Sequence, residues 1–207
     1  NPITVGPYMN EPDYINNCYQ QSMAMYRAED VYDRIREEYA ALTGRDYPIL
    51  DQYRMEDAEV AVFLMNSASE IIKDVVDELR AKGIKAGSLA PNIIRPFPAK
   101  QIAEALKNVK AITIGDRADS YGGHGGNMTN EIKAALYTHG NKDTLVVSRV
   151  YGLGGKDFYA EDGHALFQFA IDAMNSGVVE KPFDYHGVTA GDPDKAPKRV
   201  INPLKYE

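Results

Sequence analysis

Arg95, Asp116, Arg117 and His124 are the ionisable residues whose positions suit chemistry or recognition, because each lies just beyond a short apolar run. Arg95 follows Ile93-Ile94 and precedes Pro96, so its guanidinium leaves a stiffened turn, a geometry suited to a fixed carboxylate partner. Asp116 and Arg117 close the run that starts at Ala111, where they can pair with each other or across an interface, or touch a substrate. An interface ion-pair network is the favoured use. His124 stands among Gly122, Gly123, Gly125 and Gly126, where a lone imidazole reads as a polar contact and not as a general base. The same glycines could offer backbone N–H groups to an anion at the start of a helix. The sequence has no Gly-Lys-Ser/Thr of a P-loop and no G-x-G-x-x-G opening a helix after the first strand, so tight turns at a subunit contact are the preferred reading.

Ser67 has Glu70 three residues later, the capping-box pattern, which makes its hydroxyl a helix cap and not a nucleophile. His124, His139, His164 and His186 show no metal-ligand spacing. Cys18 is the single cysteine, which excludes an internal disulfide and a four-cysteine iron–sulfur or zinc site. The expectation is therefore no catalytic residue, no metal and no cofactor bound by this chain, with Arg95, Asp116, Arg117 and His124 kept as substrate or interface candidates.

These residues hang from a repeating strand-and-helix pattern. Val60 to Leu64 is a continuous apolar run of the kind a strand buried on both faces requires. A helix follows from Ser67, with Ile72, Val75, Val76 and Leu79 in its buried stripe and Gly83 as its stop. The spacing then predicts strands over 84–89, 111–114 and 144–148, and helices over 98–106, 128–137 and 161–174. Pro98 suits a first helical position because its missing N–H is not needed there. Such alternation makes a three-layer α/β fold with a mostly parallel sheet, whose partners meet the loops at the strands' carboxyl ends.

The flanks differ in character. An extended lead-in ends near Pro12, and from Ile15 a long helix carries Tyr19, Met23, Tyr26, Val31, Ile35, Tyr39 and Leu42 before Gly44 closes it. That stripe reads as docking surface for a neighbouring subunit or domain. After Gly177, proline, glycine and charge dominate, giving an extended C-terminal arm. The division expected is 1–52 for the lead-in and docking helix, 53–176 for the α/β domain and 177–207 for the arm.

With 207 residues, 44% of them hydrophobic, the chain can bury one compact core with an appendage. Its net charge of −7 and the lack of a Lys/Arg run argue against nucleic acid. No apolar stretch approaches the roughly 20 residues that cross a bilayer, and the start shows no signal pattern, so a cytoplasmic, membrane-free protein is expected.

The quoted segments also form an ordered set. Asn1-Pro2-Ile3-Thr4-Val5-Gly6-Pro7-Tyr8, Tyr53-Arg54-Met55-Glu56-Asp57-Ala58-Glu59-Val60, Arg95-Pro96-Phe97-Pro98, Asp116-Arg117 and Gly152-Leu153-Gly154-Gly155-Lys156-Asp157 resemble the alpha subunit of pyruvate:ferredoxin oxidoreductase and its relatives. The resemblance implies a domain similar to the transketolase C-terminal domain, in the C-terminal part of that subunit. It also implies a complex that decarboxylates pyruvate or another small 2-oxoacid, oxalate included, and passes electrons to ferredoxin. In the family, thiamine diphosphate, Mg2+ and 4Fe-4S clusters are held by other parts: the earlier half of the alpha subunit, a thiamine-binding beta subunit, and the gamma and iron–sulfur subunits. Consistent with that, Gly115-Asp116 runs into Arg117 and not into a Gly-Asp-Gly magnesium motif. Met65-Asn66-Ser67 departs from the family's usual Met-Gly-Ser, and Ala90-Pro91-Asn92 interrupts a strand that is commonly basic and aliphatic. Two other readings stay open: the C-terminal-like domain of a 2-oxoacid dehydrogenase, and a stand-alone flavodoxin-like module holding a nucleotide at 122–126.

Overall fold

A computed structural model describes residues 9–188. The opening octapeptide motif and the arm beyond Val188 lie outside the described residues. The first element is the helix α1 (Asp13–Thr43), closed by Gly44 in the left-handed conformation with its N–H on the Ala40 carbonyl. Strands β1 (Leu50–Tyr53), β2 (Val60–Phe63), β3 (Ala86–Pro91), β4 (Ala111–Asp116), β5 (Leu145–Val150) and β6 (Phe183–Tyr185) form one sheet. Helices α2 (Ser67–Ala81), α3 (Ala99–Ala105), α4 (Asn127–Thr138) and α5 (Ala160–Ser176) connect them.

The sheet order is β1-β3-β2-β4-β5-β6, with β1 antiparallel to β3 and the other pairings parallel. Every residue of β2 and β4 is buried, as central strands covered on both faces require. On one face Val60, Val62 and Val147 pack against Ile72 and Val76 of α2 and Leu166 and Phe167 of α5. On the other, Phe63, Ile112 and Ile114 pack against Ile102 of α3 and Ile132 and Leu136 of α4. This is the three-layer α/β architecture with a long N-terminal helix. Because β2 leads to β3 on one side and β4 and β5 lie on the other, the chain reverses its direction of winding beside β2, and the loops after β2 and β4 diverge there.

Two local expectations change, at a helix cap and in the strand spans. The capping box at Ser67 does not form: Ser67 is already helical, and Asn66, at φ 59°, holds the cap position without a side-chain cap bond. The cap therefore moves one residue upstream, onto a residue that tolerates the left-handed region. Strand β3 is displaced two residues along the chain from its expected span, and β1 and β6 are strands that the periodicity did not signal. The stripe on α1, by contrast, stays uncovered among the described residues, as a docking surface would, since no residue of that helix is buried.

Candidate functional site

The carboxyl ends of β2 to β5 gather the loops 64–66, 92–98, 117–126 and 151–159 on one edge of the sheet. Asp116, the last residue of β4, is 1% exposed and turns into the protein. Its Oδ1 accepts the N–H of Met128 at 2.8 Å, and its Oδ2 accepts the N–H and hydroxyl of Thr129 at 3.2 and 2.9 Å. Ser148 on β5 extends the network, accepting the Gly126 N–H at 3.1 Å and sharing a hydrogen bond with Thr129 Oγ1 at 2.9 Å. A carboxylate from β4 thus caps α4 in place of a side chain at its own N-cap, Gly126. Burial pushes the Asp116 carboxyl up from its ordinary value, while the bonds from Met128 and Thr129 pull it back. Gly126 is glycine because a Cβ there would stand 2.2 Å from Asp116 Oδ2.

Three N–H groups at the start of α4, those of Gly126, Met128 and Thr129, are therefore already bonded to a hydroxyl and a carboxylate. A diphosphate brought to this helix start would meet the Asp116 charge, so these residues do not fit thiamine diphosphate or a nucleotide.

The other loops brace one another. Arg117 donates to the Gly152 carbonyl at 3.1 Å and stacks its guanidinium 6.0 Å from the Tyr151 ring centre. Tyr151 is buried edge-on against Phe158, and loss of hydration pushes its phenol up to about 12. Lys156 donates to the Gly187 carbonyl at 2.6 Å, and Tyr185 of β6 donates its hydroxyl to Asp119. That bond to the carboxylate pushes the Tyr185 phenol up to about 12. His186 pairs with Asp162 at 2.7 Å, fastening the end of β6 to α5.

The four sequence candidates are not brought together. Arg95 reaches its carboxylate partner within the chain, Glu131 of α4, on the α3–α4 side of the sheet. Asp116 and Arg117 diverge, one inward to α4 and one along the edge to Gly152. His124 is exposed, and its contribution is a carbonyl that accepts Lys133. Thr129, Ser148 and Tyr185 escaped sequence reasoning, since their partners lie at least 13 residues away and no local pattern marks them. Among the described residues no three His, Cys, Asp or Glu side chains gather as metal ligands, and no helix is long and apolar enough to cross a membrane.

Residues 58–162, which hold this whole edge, match the family described as pyruvate:ferredoxin oxidoreductase core domain II. The chain belongs to that family. The chain is 37% identical over 187 residues to "Pyruvate synthase subunit PorA" of Thermotoga maritima, an alignment covering 90% of this chain and 46% of that protein. It is 32% identical to "Ketoisovalerate oxidoreductase subunit VorA" of Pyrococcus horikoshii, again over 90% of this chain and 47% of that one. The chain thus spans about half the length of the curated relatives it matches. A solved 2-oxoglutarate:ferredoxin oxidoreductase from Magnetococcus marinus matches 73% of this chain and 23% of its own, with 14% identity and a TM-score of 0.45. Along this edge Asp116 is engaged in capping α4, and Arg117 and Lys156 in bracing neighbouring loops.

Proposed function

We propose that this core domain II forms part of the alpha subunit of a multi-subunit 2-oxoacid:ferredoxin oxidoreductase and works there as a braced platform. The observation that carries the reading is the set of internal ties across the carboxyl edge, from Asp116 to α4, Arg117 to Gly152, Lys156 to Gly187 and Tyr185 to Asp119. Such ties engage Asp116, Arg117, Lys156 and Tyr185 in holding the shape of that surface, which supports a positioning role. The chemistry belongs to the remainder of the complex, where thiamine diphosphate, Mg2+ and 4Fe-4S clusters supply decarboxylation and electron transfer to ferredoxin. The domain closes over that site and fixes the assembly. Pyruvate is the default substrate, with other small 2-oxoacids, oxalate among them, as the field to test. The complex would work in the cytoplasm.

The family match weighs against a lipoamide-dependent dehydrogenase, and the carboxylate under α4 weighs against a nucleotide-holding flavodoxin-like module. The test is to isolate the chain with its natural partners and quantify iron and thiamine diphosphate in the same fraction. Ferredoxin reduction is then assayed with pyruvate, 2-oxoisovalerate and oxalate. Co-purification with both cofactors and 2-oxoacid-dependent reduction are expected; a solitary chain with neither would overturn the reading.

A further inference from the structure

Helix α1 carries apolar surface that the described fold leaves uncovered. None of its 31 residues is buried, yet Ile15, Tyr19, Tyr26, Val31, Ile35 and Leu42 are all exposed. At about 100° per residue these six separate into two groups. Ile15, Tyr19 and Tyr26 share one flank of the N-terminal half, and Val31, Ile35 and Leu42 share a flank about 160° away in the C-terminal half. The side between them faces the sheet domain, where Glu29 meets Gln101, Tyr32 donates to the Tyr47 carbonyl, and Arg36 pairs with Asp46. The ridge facing away carries Asn16, Gln20, Arg27, Arg34 and Glu38, which suits water. A helix lying free against its own domain has no use for two lateral apolar patches.

The N-terminal patch runs on into the domain surface. Cys18, Met25 and Tyr26 of α1 form one wall of a groove of about 620 Å³, and Pro96, Phe97 and Ala134 form the other, with Arg95 and Glu131 also lining it. We propose that this flank of α1 and the groove beside it are the seat for the portion of the alpha subunit that this chain does not contain. The proposal rests on the alpha-subunit reading above. The PorA relative aligns with 90% of this chain, yet the chain covers 46% of that protein, so more than half of such a subunit lies outside the aligned part and is a body large enough to fill this seat. A seat that joins a helix flank to a concavity on the domain fits a folded body of that size.

A second copy of this chain fits poorly. A two-fold pair of antiparallel helices joins the N-terminal half of one to the C-terminal half of the other along a single face. Here the two patches lie on opposite flanks, so one such pairing buries at most one of them.

The experiment uses the assembled oxidoreductase, with photoreactive benzoylphenylalanine in place of Tyr26, irradiated and mapped by peptide mass spectrometry. A cross-link to the alpha-subunit region absent from this chain is expected. In an intact complex, a cross-link to a second copy or to another kind of subunit, or no cross-link at all, overturns the docking. In parallel, the double variant Tyr19→Asp/Tyr26→Asp should weaken association with that region at least about tenfold while circular dichroism stays unchanged, because neither side chain is buried. Undiminished association would also overturn it. If the unsubstituted chain enters no complex bearing iron and thiamine diphosphate, the oxidoreductase reading falls and takes the docking with it. A complete complex cross-linked elsewhere removes the docking alone.

Discussion

A carboxylate at a strand end invites a catalytic reading, yet Asp116 spends its lone pairs on the start of α4. Replacing it with alanine leaves two buried N–H groups and a hydroxyl without their acceptor, so Asp116→Ala should cost about 2–4 kcal/mol in urea unfolding. The pH dependence carries a definite sign. Burial raises this carboxyl above its ordinary 3.8, so the folded chain holds the proton more tightly than the unfolded one. Its contribution to stability is therefore greatest below the unfolded value and is lost as pH rises through the folded one. The wild-type advantage over Asp116→Asn should accordingly grow as pH falls from neutrality toward about 4, and an advantage that shrinks would refute the assignment. Arg95 offers the contrast. Its ion pair with Glu131 is half-exposed, so Arg95→Ala should move the isolated chain's stability by less than about 1 kcal/mol. In the complex the same variant should weaken assembly or substrate affinity, and unchanged assembly with unchanged kinetics would reduce Arg95 to a surface ion pair. The sequence announced Arg95 because Pro96 stiffens its turn. It favoured an interface ion-pair network for Asp116 and gave no sign of Met128 and Thr129, which come close only once β4 and α4 pack.

At the scale of elements, legibility followed burial on both faces. Strands β2, β4 and β5 and helices α2, α4 and α5 could be read within a few residues because each carries an apolar pattern of its own. Strand β1 is four residues with one buried position, and β6 is three residues with none, so each depends on the neighbouring strand for its conformation. Helix α1 was legible from the same kind of pattern, although its apolar residues serve no core among the described residues. A helix held by its own propensity and a few ties to Gln101, Tyr47 and Asp46 is the least protected long element of the fold. Hydrogen exchange of the isolated chain should show the amides of 13–43 exchanging on the order of a hundredfold faster than those of β2 and β4. In the assembled complex the helix amides should slow markedly. Equal protection in the two states would mean that α1 meets no partner.

The described residues present a braced edge and a bare helix, and under the proposed reading the two make separate demands on the complex. The bare helix concerns whether the parts stay together, and the edge concerns how accurately the platform holds its shape over a site built elsewhere. Lys156 and Tyr185 are well placed to separate these demands, since both tie the end of β6 to neighbouring loops and neither is buried. Removing the ammonium in Lys156→Met deletes the bond to the Gly187 carbonyl while retaining most of the stem, so the chain's own stability should change by less than about 1 kcal/mol. If the edge shapes the closed site, small displacements of its loops should be felt in turnover. The complex carrying Lys156→Met should then lose on the order of tenfold in kcat for 2-oxoacid-dependent ferredoxin reduction, with assembly and KM changed far less. A variant that assembles and turns over like wild type would show that bracing serves the fold alone. Loss of assembly with kcat per intact complex preserved would instead move the edge from shaping the site to binding the subunits.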